Sequence, residues 1–190
     1  MTYARDISYA HSARTRGGRA LIRLMENTTG RVSLLKRAEG YEDDLAAGLG
    51  FFDAMVRRCG LTLDVMRGSL ADIPKRGPVI LIANHPYGIL DGLMLGHILS
   101  ETRGDFRIMA NAVFSQAPDL AHHLLPISFA EDRAALALNL ATRRTALDYL
   151  DQGGAIGIFP GGHGQHRRAA LFATDGPRMA QFHRAHDRQV

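Results

Sequence analysis

Pro78-Val79-Ile80-Leu81-Ile82-Ala83, followed by Asn84-His85-Pro86-Tyr87-Gly88-Ile89-Leu90-Asp91-Gly92, decides the fold of this chain. The first six residues form an apolar run that reads as a buried strand. The next nine form a Pro/Gly-shaped turn. Leu93 to Leu99 is again apolar and reads as part of a helix over 92–100. A His and an Asp are thereby set at the carboxyl end of a strand, where ligands bind in open α/β sheets. Neutral His is the common general base near pH 7, and a carboxylate is the common group that orients it. The pattern suits base-assisted attack by a hydroxyl without a covalent enzyme intermediate.

Outward from this turn the chain alternates strand and helix patterns, which argues an α/β fold. Towards the amino terminus, residues 41–59 read as one helix carrying Leu45, Leu49, Phe52 and Val56, and 61–66 read as a first strand. Beyond the turn come a strand at 106–110, a helical stretch near Pro118, a short strand at 127–129, a helix over 130–150 and a strand at 155–159. Leu136, Leu140, Leu147 and Leu150 are among the apolar positions of the long helix. Pro160-Gly161-Gly162 closes the last strand. Asp91 is expected as the N-cap of helix 92–100, and Asn84 as a side chain that fixes the turn.

Composition narrows the function classes. The chain has 190 residues, 46% of them hydrophobic, enough for one domain with a helical extension. Its one cysteine, Cys59, excludes an internal disulfide and reads as a small buried or edge residue. No run approaches the ~18 apolar residues of a membrane span, and no secretory signal pattern is seen. The net charge of +4 is polarised. Residues 1–37 hold 8 Lys/Arg against 2 Asp/Glu, residues 38–162 hold 10 against 15, and residues 163–190 hold 5 against 2. The central region is therefore mildly acidic, which argues against a nucleic-acid partner. Residues 19–37 mix apolar and basic side chains and suit either an anionic membrane surface or a helix packed on the core.

The turn resembles the catalytic block of the glycerolipid (lysophospholipid) acyltransferase family, in a bacterial branch with five residues between the His and the Asp. Phe159-Pro160-Gly161-Gly162 matches in part the family's Phe-Pro-Glu-Gly block, with Gly161 in place of Glu. Leu125-Pro126-Ile127-Ser128 and Arg133 loosely resemble its middle block. The resemblance covers roughly residues 75 to 162. It implies a mixed sheet flanked by helices, and acyl transfer from a thioester (acyl-CoA or acyl-carrier protein) to the hydroxyl of a lyso-lipid. His85 is then the base and Asp91 its orienting partner. Asn84, Gly88, Arg133, Gly161 and Gly162 are the implied substrate contacts. No cofactor or metal is expected, and the setting implied is the cytoplasmic face of the cell membrane, held peripherally.

The chain divides into three regions: a basic helical region with a first strand (1–75), a partial catalytic core (76–162) and a His/Arg-rich tail (163–190). The tail holds four of the nine His, as His163/His166 and His183/His186. These pairs lack Cys or acidic partners at ligand spacing. Shifted by one base, the codons of the tail permit a translation that resembles the segment after the third block in that branch. A one-base slip in the codons of Gly161-Gly162 is therefore expected. The rival expectation is a truncated, catalytically silent chain that at most binds membranes. A hydrolase is less suited, since no Gly-x-Ser-x-Gly elbow is present.

Overall fold

The computed structural model describes residues 36–160. Within them lie α1 (Tyr41–Ala46), α2 (Phe51–Cys59), a 3-10 turn (Leu70–Asp72), β1 (Val79–Ile82), α3 (Ile89–Arg103) and β2 (Arg107–Asn111). After β2 come a second 3-10 turn (Ala112–Gln116), α4 (Pro118–Ala121), β3 (Leu124–Ile127), α5 (Arg133–Asp151) and β4 (Ala155–Ile158). The strand order is β1-β4-β2-β3, and every pairing is parallel. The α/β expectation is met, but the sheet of the described residues is wholly parallel rather than mixed.

Parallel strands need crossovers, and helices supply them here. The path from β1 to β2 runs through α3 on one face, and the path from β3 to β4 runs through α5 on the other. The two crossovers travel in opposite directions along the sheet, so right-handedness places them on opposite faces. Alternation along each strand then divides the core. Val79, Leu81, Ile108 and Ala155 face α2 and α3, packing with Phe52, Val56, Leu93, Leu95 and Leu99. Leu125 and Ile156 face α5 and meet Ala146. Gly157 lies under α3, where an added Cβ would come within 2.8 Å of Leu95 and 3.0 Å of Leu99.

Several expected boundaries are corrected. Residues 41–59 are two helices, because Gly48 has φ 93° and Gly50 is extended. Residues 61–66 form no strand; Leu63, Val65 and Met66 are exposed and no neighbouring strand pairs with them. The third strand is Leu124–Ile127 rather than 127–129, set by register against Ile108–Asn111. The long helix starts at Arg133, because Asp132 caps it by accepting the Ala135 N–H at 2.7 Å. Its leucines Leu136, Leu140 and Leu147 face outward, while Ala135, Thr142 and Ala146 face the sheet. Small residues on that face let the helix sit close, and the Thr142 hydroxyl donates to the Pro126 carbonyl at 2.6 Å.

Cys59 is buried, as expected, and burial pushes its thiol up. His123, by contrast, is not a surface residue like its neighbour His122. Its ring stacks on Phe106 at 4.4 Å and meets the edge of Phe52 at 5.5 Å. Burial holds its pKa below the ordinary imidazole value, against a contact from Nδ1 to the Phe106 carbonyl at 3.3 Å. The unfolded chain therefore binds this proton first on acidification. The stability involved is present above the unfolded pKa and is lost as pH falls through the lower folded one. Urea midpoints at pH 7 and pH 5 should fall more for the wild type than for His123→Phe, which keeps a ring there.

Candidate active site

β1 and β4 run side by side in register, with Ile82 opposite Ile158, and the Ala83 N–H donates to the Ile158 carbonyl at 3.1 Å. The two chains thus leave the sheet together at its carboxyl edge. From β1 the chain enters the turn; from β4 it enters Phe159-Pro160. The result is a stack of the His85 and Phe159 rings, 4.2 Å between centroids and 28° between planes. Phe159 also packs on the core beneath α3. A ring anchored in the core therefore supports one face of an imidazole whose side chain is 44% exposed.

Asp91 supports the edge of the same imidazole. Its Oδ2 accepts the Tyr87 N–H at 2.7 Å and lies 3.5 Å from His85 Nδ1. Asp91 is not the N-cap of α3. That place belongs to Gly88, at φ 62° and ψ −121°, a conformation that glycine adopts without a Cβ penalty. Asp91 sits in the first turn and reaches back over Gly88 to Tyr87, which closes the turn. At 18% exposure it is more enclosed than the His it faces. A carboxylate beside Nδ1 favours the tautomer with the proton on Nδ1 and leaves Nε2 as the basic nitrogen. The 3.5 Å separation is longer than a usual hydrogen bond between nitrogen and oxygen.

The other expected contacts are dispersed. Asn84 is exposed and makes no side-chain hydrogen bond among the described residues, so the turn is held by Asp91 instead. Gly88 borders the pair and has nothing within 4 Å of a built Cβ, so the space before it is open. Gly161, Gly162, the tail and residues 1–35 lie outside the described residues. Arg37, at the end of the basic segment, donates to the Cys59 carbonyl at 2.9 Å.

Arg133 is exposed and opens α5 after β3, three strand places from β1. β3 is thus about 14 Å from β1 across the sheet by strand spacing. The middle block is nonetheless well fixed. The Ser128 N–H donates to Asn139 Oδ1 and Asn139 Nδ2 donates to the Ser128 carbonyl, both at 2.9 Å. On α5, Arg144 faces solvent, while Arg143 is half-buried.

Phe159 is the supporting residue that the spacing of the turn alone does not reveal; the signal was its place just before Pro160 at a strand end. Phe159→Ala should keep the fold and lower kcat about tenfold, because the imidazole loses one wall while Asp91 remains. Steady-state kinetics against Phe159→Leu, which restores bulk, checks this.

The His/Asp pair thus lies at the carboxyl edge of a parallel α/β sheet, the edge at which such sheets bind ligands. The chain belongs to the acyltransferase family: a family model described as Acyltransferase matches residues 68–184, which include all four strands and the His85 turn. No curated protein and no solved structure matches it. Membership makes it a transferase acting between an acyl donor and an acceptor. Among the described residues, no helix is long and apolar enough to cross a membrane.

Proposed function

We propose that this chain moves a fatty acyl group from an acyl thioester to the hydroxyl of a lysophospholipid or related lyso-lipid, with His85 as general base oriented by Asp91. The observation that carries the reading is the position of Asp91 Oδ2 between the Tyr87 N–H and His85 Nδ1, inside the family's range. In this reading His85 Nε2 takes the acceptor's proton as its oxygen attacks the thioester carbonyl. The tetrahedral intermediate collapses with loss of the thiolate. That thiolate takes the proton back from His85, giving the ester and a free thiol. The Ile89 and Leu90 N–H groups at the start of α3 are suited to the developing oxyanion, since the first helical turn leaves them without intrahelical partners, whereas the Asp91 and Gly92 N–H groups donate to the Gly88 carbonyl.

A lipid acceptor is supported by apolar exposure on the same edge. Tyr87 is 76% exposed and Ile89 44%, both beside His85, and Phe129 is 47% exposed just after β3. Such side chains suit contact with a bilayer surface, from which the acceptor's hydroxyl would be presented. The donor in this reading is acyl-CoA or acyl-carrier protein, and the setting is the inner face of the cell membrane.

The test supplies long-chain acyl-CoA, then acyl-carrier protein, with a panel of lysophospholipids and glycerol phosphate in vesicles. Ester formation that needs the acceptor supports the proposal; release of free acid without acceptor points to hydrolysis. Co-sedimentation with vesicles in the absence of any thioester turnover supports the second reading, a silent membrane binder. Sequencing the coding DNA across Gly161 and Gly162 tests the frame slip, which an extra base there supports and an intact frame refutes.

A further inference from the structure

A second His–carboxylate cluster lies away from His85. Asp53 of α2 and His97 of α3 meet at 2.6 Å, Oδ1 to Nδ1. Glu101 stands one turn further along α3, and one ligand atom from each of the three lies within 4.8 Å of the others. His97 and Glu101 are four apart, so they share a helix face. His97 is about 9 Å of helix rise beyond Asp91, so the cluster is separate from the His85 pair. The helices come this close because residue 96 is glycine: an added Cβ there would sit 2.1 Å from the Phe52 ring.

We propose that Asp53, His97 and Glu101 bind one divalent transition-metal ion of the zinc type, which ties α2 to α3. One imidazole nitrogen and two carboxylates are a hard-to-borderline donor set that suits such an ion. Two carboxylates also balance its charge. The ion takes the place of the His97–Asp53 hydrogen bond: Nδ1 and the carboxylate bind it, and the proton of the neutral imidazole sits on Nε2. Metal–ligand bonds of about 2.0–2.2 Å require the nitrogen and oxygen to part to roughly 3.3 Å, a side-chain adjustment at half-buried positions. Glu101 is exposed, which leaves room for water as a fourth ligand.

The experiment uses the full chain with His163, His166, His183 and His186 replaced by Ala, so that tail histidines contribute nothing. Zn²⁺ alone is titrated by calorimetry, and thermal unfolding is followed with and without it. One Zn²⁺ per chain and a raised Tm are expected. His97→Ala should abolish both, and Glu101→Gln should weaken binding at least about tenfold. Since Glu101 is exposed, Glu101→Gln carries the test if His97→Ala does not fold. His85→Ala should bind Zn²⁺ as its parent does. The proposal is overturned if Zn²⁺ neither binds nor raises Tm, or if binding survives unchanged in the folded variants.

Discussion

His85→Ala is expected to lower kcat for acyl transfer by about 10²–10⁴-fold, the usual contribution of a positioned general base, with little change in Tm. The structural side rests on exposure. His85 is 44% exposed and its ring lies on Phe159 rather than inside the core, so truncation leaves no large cavity. The chemical side rests on the hydroxyl. An alcohol is almost wholly protonated at neutral pH, and without a base its oxygen must attack while still carrying the proton. Asp91 offers the finer test. Asp91→Asn still presents an oxygen to the Tyr87 N–H, so the turn survives, but it removes the carboxylate that sets the His85 tautomer. Asp91→Ala removes both. Kinetics should therefore rank Asp91→Asn well below wild type, while urea melts should rank Asp91→Ala alone as structurally damaged. A His85→Ala protein with full acyl transfer would falsify the assignment.

The His/Asp turn was legible because it combines a buried-strand pattern, turn-forming residues and two chemically specific side chains within fourteen positions. The role of Asp91 was only half legible. Asp near a helix start suggests an N-cap, but Gly88 at positive φ moves the cap three residues earlier and turns Asp91 back onto Tyr87. The first-strand expectation at 61–66 failed because β-branched and apolar residues signal extended backbone, not pairing. The sheet has no strand place that this segment fills. Strand order is a tertiary property, and it sets β3, which precedes Arg133, three places from β1, which precedes His85. Phe159 was visible as a letter of the third block, but its contact with His85 depends on β1 pairing with β4, which are over seventy residues apart. Asp53 and His97 were legible only in part. Four-residue spacing of His97 and Glu101 can be read on a helix, whereas Asp53 arrives from another helix.

Gly96→Ala should lower stability, although it places alanine inside a helix. Two terms oppose each other. Alanine is favoured over glycine inside a helix by about 1 kcal/mol. Against that, the new Cβ would lie 2.1, 2.2 and 2.7 Å from three atoms of the Phe52 ring, far inside contact distance. The ring has no simple escape. Phe52 is 5% exposed, with Phe51 at 5.3 Å, Phe106 at 5.4 Å and His123 at 5.5 Å around it. Relief therefore requires α2 and α3 to part, which strains the layer that carries Asp91 on α3. Overpacking of this kind costs about 1–3 kcal/mol or more, and the severity of the overlap places it at the upper end. A net loss of about 2 kcal/mol lowers Tm by roughly 4–8 °C for a chain of this size. Gly92→Ala is the control. It lies in the same helix with nothing within 4 Å, so only the helix term acts and stability should rise. If both variants gain stability in urea melts, the close packing of Phe52 on α3 is wrong. The route by which α2 reaches His97 then goes with it.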